Sequence, residues 1–144
     1  MRPRPPPPPT APDEVEAQFY EALQQADLEL LMALWSDDDE VACVHPGGPR
    51  VIGHAAIRAS FEAIFANGPI PVQPRSVRRL LGAGHAVHHV EEQVAVRTPE
   101  GLAQAWVLAT NVYVKTAQGW RLVLHHASPG GEAAPAAEAP SVLH

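Results

Sequence analysis

The chain has 144 residues, 46% of them hydrophobic and 18% charged, with a formal net charge of −6. That is one domain's worth of core, and no apolar run approaches the roughly 20 residues of a membrane helix. A net acidic chain whose one basic cluster is Arg75, Arg78 and Arg79 is expected to bind no nucleic acid. One cysteine, Cys43, excludes a disulfide scaffold, and the N-terminus MRPRPPPPP lacks the apolar region of a secretory signal, so a cytoplasmic protein is expected.

Residues 1–12 are mostly proline and are expected to form a disordered, extended leader that buries nothing. Asp13 and Glu14 then open a helix, placing acids at its positive end. Val15, Phe19, Leu23 and Ala26 recur at spacings of three and four and predict one apolar stripe. Asp27 fits the N-cap of a second helix carrying Leu28, Leu31, Met32 and Trp35. The acidic run Ser36 to Glu40 stops it, and lacks the alternation, glycine and distant glutamate of a calcium loop.

Val41 to Val44 predicts a short buried strand, and His45-Pro46-Gly47-Gly48-Pro49 a rigid turn. Val51-Ile52-Gly53 leads into a third helix with Ile57, Phe61, Ile64 and Phe65 on one side, ended by Asn67-Gly68-Pro69. From residue 70 the period becomes two. Four strands are expected, about 72–82, 85–97, 103–116 and 119–128, joined by turns short enough to make them antiparallel neighbours. Residues 130–144, rich in Ala, Pro, Gly and Glu, predict a disordered tail, leaving 13–129 as the folded domain. Helices followed by a meander make the fold class α+β, with helices covering one face of a bent antiparallel sheet.

Three stretches carry a family resemblance: VHPGGPRVIG (44–53), AVHHVEEQV (86–94) and ATNVYVKTAQGWRLVLHHASP (109–129). They resemble the SnoaL-like branch of the nuclear-transport-factor-two (NTF2) and ketosteroid-isomerase superfamily. The last also resembles the closing strand of the hub domain of calcium/calmodulin-dependent protein kinase II. The resemblance implies a cone, a curved sheet wrapped around the N-terminal helices, with a cavity at its open end and a homodimer as the usual assembly. It does not imply one function, because the superfamily holds isomerases, cyclases, hydrolases and binding modules.

Strand parity selects the candidate site. On 103–116 the residues Ala105, Val107, Ala109, Asn111, Tyr113 and Lys115 share a face suited to a cavity wall. Trp106, Leu108, Thr110, Val112 and Val114 share the other, suited to packing on a second subunit. Ala86, His88, Val90 and Glu92 share a face of the preceding strand, and the resemblance puts Glu92 inside. On the closing strand the hub likeness favours Arg121, Val123, His125 and Ala127 as the inward set. That makes His125 rather than His126 the inward histidine, unless a bulge near the strand end reverses them. The resemblance also implies that Trp35 and His45 reach the same mouth from the helical side.

The candidate catalytic residues are therefore Glu92, His125 and Tyr113, and the candidate ligand contacts are Trp35, His45, His88, Asn111 and His126. Glu92 among apolar neighbours would have a raised pKa and act as general base, with Tyr113 or His125 donating to a developing oxyanion. Core roles for the histidines, and an ion pair of Glu92 with Arg121, are the structural alternatives. The pairs His88-His89 and His125-His126 each split across the sheet, so no metal and no cofactor is expected. The expected partners are a small apolar or mixed-polarity molecule and a second copy of the chain. A non-catalytic dimerisation or assembly module is the alternative.

Overall fold

The computed structural model describes residues 8–130. The leader up to residue 7 and the tail from residue 131 lie outside the described residues. Among the described residues three helices, α1 (Pro12–Gln25), α2 (Leu28–Ala33) and α3 (His54–Phe65), accompany six strands. The strands are β1 (Ala42–Val44), β2 (Arg50–Ile52), β3 (Val72–Leu81), β4 (His85–Thr98), β5 (Gly101–Thr116) and β6 (Gly119–Pro129). They form one curved, unclosed sheet in the order β2-β1-β6-β5-β4-β3. The α+β class and the long meander match the sequence expectation. Two features differ from it: Arg50–Ile52 pairs with β1 as a strand of its own, and β1 joins β6 in parallel.

Helix α1 starts on Pro12, whose missing N–H costs nothing in a first turn. It ends at Ala26, which is left-handed (φ 54°) and caps the helix instead of extending its stripe. Asp27 then caps α2, its side chain accepting from the Leu30 N–H at 3.1 Å. Val15, Phe19 and Leu23 of α1, Leu31 and Met32 of α2, and Ile57 and Phe61 of α3 are buried against Ala86, Val90, Ala109, Tyr113 and Leu122 of the sheet. Trp35 leaves α2 and bridges to Leu122, so the chain after α2 lies along β6.

The two tight turns of the meander share one construction. Thr98 and Thr116 each donate a hydroxyl to the carbonyl of the glycine three residues on, at 2.7 Å, and accept the N–H two residues on. Gly101 (φ 117°) and Gly119 (φ 97°) supply the positive φ that this turn needs.

Gly119 has a second role. Pro9 is buried, and its carbonyl accepts the Trp120 N–H at 3.0 Å. The end of the proline leader therefore docks on the β5–β6 turn, against the expectation that it buries nothing. A Cβ on Gly119 would lie 2.5 Å from the Pro9 oxygen. Gly119→Ala should therefore destabilise the fold by about 1–2 kcal/mol through strain and clash. Urea unfolding checks this, and an unchanged midpoint would mean that the leader is not held there.

Candidate functional site

The concave face of the sheet meets one side of α1. Glu16 and Tyr20 lie one helical turn apart beside the apolar stripe, so both enter the sheet's hollow with Phe19. From the sheet, His88 and Glu92 on β4, Asn111 and Tyr113 on β5, and His125 on β6 point at them, all buried. The inward parity expected for β4 and β5 is observed. On β6 it holds only in part. Trp120 and Leu122 are the buried residues of its first half, not Arg121 and Val123. The β5 register passes from Val112↔Leu124 to Tyr113↔Leu122, so Val123 is an extra residue. This bulge lets Leu122 and His125 both face inward, and leaves His126 exposed on the outer face.

These side chains form one hydrogen-bonded network. Glu16 Oε2 accepts from the Tyr113 hydroxyl at 2.8 Å, from Asn111 Nδ2 at 3.4 Å and from His88 Nδ1 at 2.8 Å. Asn111 Nδ2 also reaches the Tyr20 oxygen at 3.3 Å, and Tyr20 donates to Glu92 Oε2 at 2.6 Å. On the other side, Asn111 Oδ1 lies 2.6 Å from His125 Nδ1. Asn111 directs its amide nitrogen to the Glu16 carboxylate, so its oxygen is an acceptor and His125 Nδ1 carries the proton.

Burial governs the protonation of this cluster. It pushes the Glu92 carboxyl up to about 7, with the Glu16 carboxyl adding to the rise and the Tyr20 hydrogen bond opposing it. It pushes His125 down to about 3, helped by His45 and His126. Tyr20 and Tyr113 are raised well beyond the phenol range, first by burial and then by carboxylates. Near pH 7 His125 is therefore neutral, and Glu92 stands at the balance of its two forms.

Glu92 and His125 also line a cavity of about 240 Å³, walled by Leu23, Phe61, Ile70, Val72, Val94, Val107 and Ala127. His45 is the third polar group on its wall. His45 Nε2 lies 3.1 Å from Ser60 Oγ, while Ser60 donates to the Ile57 carbonyl at 2.9 Å. Burial lowers the His45 pKa. Cys43 lies against His45 Nε2 at 3.9 Å, its thiol pushed up to about 12 by burial.

The candidate residues thus fall into three groups. Glu92, His125 and His45 line the cavity. His88, Asn111 and Tyr113 lie beneath it in the network. Trp35 and His126 do not join it: Trp35 lines a separate groove with Ser36, His54 and Arg121, at the β5–β6 turn end. Glu92 contacts Tyr20 rather than Asn111, a histidine or an arginine. Glu16 and Tyr20 escaped the sequence reading. The signal for them was their i, i+4 spacing on a helix inside a curved sheet, which is buried over more than one stripe. Among the described residues no group of three or more His, Cys, Asp or Glu side chains is arranged to hold a metal ion.

A family model described as a SnoaL-like domain matches residues 13–131. A provisionally named calcium/calmodulin-dependent protein kinase type II association domain from Thiobacillus denitrificans is 38% identical, with TM-score 0.78, over 88% of this chain and 100% of its own. A provisionally named dehydratase of the NTF2-like family from Streptomyces avermitilis is 31% identical, with TM-score 0.74, over 82% of this chain and 93% of its own. The S. rosetta CaMKII hub, 20% identical with TM-score 0.67 over 85% of this chain and 99% of its own, shares the fold. No curated protein matches the chain. With the matched model spanning nearly all of the folded residues, this chain belongs to the SnoaL-like domain family and carries its NTF2-like fold.

Proposed function

We propose that this protein binds a small molecule in the cavity between α1, α3 and the sheet, and that Glu92 is the group that orients it. The observation that carries this reading is the placing of Glu92. Its Oε2 is held by Tyr20, its Oε1 has no partner among the described residues, and the wall around it is apolar. A few fixed polar groups in an apolar pocket are the usual arrangement of a ligand site. A carboxyl with a pKa near 7 is also suited to moving a proton at neutral pH.

Binding is favoured over enolisation by the state of the donors. The Tyr113 hydroxyl is engaged by Glu16 and the His125 N–H by Asn111, so neither is free to steady an oxyanion. Glu92→Gln should keep the fold and abolish retention of a co-purifying ligand seen by mass spectrometry. Glu91→Gln, on the outer face, should do neither. Equal ligand retention in both variants would refute the role of Glu92.

Assembly is the second reading, supported by the likeness to an association domain along that domain's whole length. Trp106, Leu108, Thr110, Val112 and Val114 form an outer face of β5 that is only half-buried in one chain. A face of this composition suits a homodimer. Light scattering should give twice the chain mass at micromolar concentration, and a monomer would refute it. The buried, unpaired Cys43 fits a compartment that keeps thiols reduced, such as the cytoplasm. No helix among the described residues is long and apolar enough to cross a membrane.

A further inference from the structure

Three polar side chains, Glu92, His125 and His45, line the cavity, and with Glu92 ionised the atoms they leave without a partner among the described residues are acceptors. His125 has its proton on Nδ1, engaged by Asn111, so Nε2 offers a lone pair. The Ser60 hydroxyl proton goes to the Ile57 carbonyl, so Ser60 Oγ accepts from His45 Nε2 and the His45 Nδ1 is the bare nitrogen. Glu92 Oε2 accepts from Tyr20, which leaves Oε1 of this cavity-lining residue without a partner among the described residues. The second carboxylate, Glu16, is linked to Glu92 through Asn111 and Tyr20, and among the described residues no lysine or arginine lines the cavity. An anion would find no lysine or arginine here among the described residues. A ligand with only carbonyl oxygens would find no donor once Glu92 is ionised.

We infer that the cavity selects a small apolar molecule bearing a protonated primary amine, its ammonium hydrogens directed to Glu92 Oε1 and the bare histidine nitrogens. An ammonium has three donors and no acceptor, which complements an acceptor-only site. It also supplies a counter-charge for Glu92, at a place where an unpaired charge is costly. This inference rests on the cavity being a ligand site and names the ligand's class.

The test uses three phenyl compounds of similar size, benzylamine, acetophenone and benzoate, titrated calorimetrically into the full chain at pH 8. Benzylamine should bind about tenfold or more tighter than acetophenone, the worth of one hydrogen bond to a charged group. Benzoate should bind weakest of the three. Glu92→Gln should remove the preference for the amine, and Glu91→Gln should retain it. If acetophenone or benzoate binds as tightly as benzylamine, the amine class is overturned while the ligand site stands. If none of the three binds, the ligand-site reading falls with it.

Discussion

Glu92→Gln should gain stability over the parent protein as pH rises, by on the order of 3 kcal/mol between pH 4.5 and pH 8. The carboxyl's ordinary value of 4.5 rises to about 7 in the folded chain, because burial disfavours its ionised form. A raised pKa makes folding take up a proton. The stability this contributes is fully present below pH 4.5, declines above it, and is gone once the pH has passed the folded value near 7. At about 1.4 kcal/mol per pH unit, the gap between 4.5 and about 7 gives roughly 3 kcal/mol. Glutamine has no proton to lose, so its urea-unfolding free energy lacks this decline. His125 acts in the opposite sense. Its pKa is depressed from 6.5 to about 3, so its contribution is present above pH 6.5 and is lost as pH falls through 3. Between pH 4.5 and 6.5 the two partly cancel in the parent protein, and the difference between parent and variant isolates Glu92. Parallel stability curves for the two proteins would refute a buried, raised carboxyl.

The part of this site that the sequence made legible is the part that depends on strand parity alone. On β4 and β5 no bulge intervenes near His88, Glu92, Asn111 and Tyr113, so alternation assigns their faces correctly. On β6 the same rule gives the right answer for His125 and the wrong one for Arg121 and Val123. The extra residue at Val123 resets the alternation between them, and nothing in the run Trp120 to Leu124 marks where. Glu16 and Tyr20 were missed for a different reason. A single apolar stripe describes a helix lying on a flat surface, whereas α1 lies in a hollow and buries polar residues beside the stripe. Their partners are more than 70 positions away in the chain, beyond the reach of any local pattern. The placing of Trp35 was inferred from family likeness, and failed because the chain after α2 runs along β6 toward the turn and away from the cavity.

Glu16 is the residue whose loss should cost the fold most. It is buried and gathers three donors, from Tyr113, Asn111 and His88, on one oxygen. Glu16→Ala removes all three acceptor contacts at once. It strands a buried phenol hydroxyl and imidazole N–H without their acceptor. Breaking a buried polar cluster from one side in this way typically costs about 3–5 kcal/mol, a large part of a domain's total stability. Tyr113→Phe removes a donor instead and leaves Glu16 two others, so it should cost only about 1 kcal/mol. The two changes should not add. In a Tyr113→Phe background, Glu16→Ala no longer strands the phenol, and the double variant should be about 1 kcal/mol more stable than the sum of the single changes. Glu16→Gln keeps an acceptor oxygen but brings an amide toward three donors, so it should fall between Glu16→Ala and the parent and remain foldable. Urea unfolding of the four proteins of the cycle measures the coupling. A strictly additive result would mean that Glu16 and Tyr113 are each satisfied elsewhere, and that the network beneath the cavity does not tie α1 to the sheet.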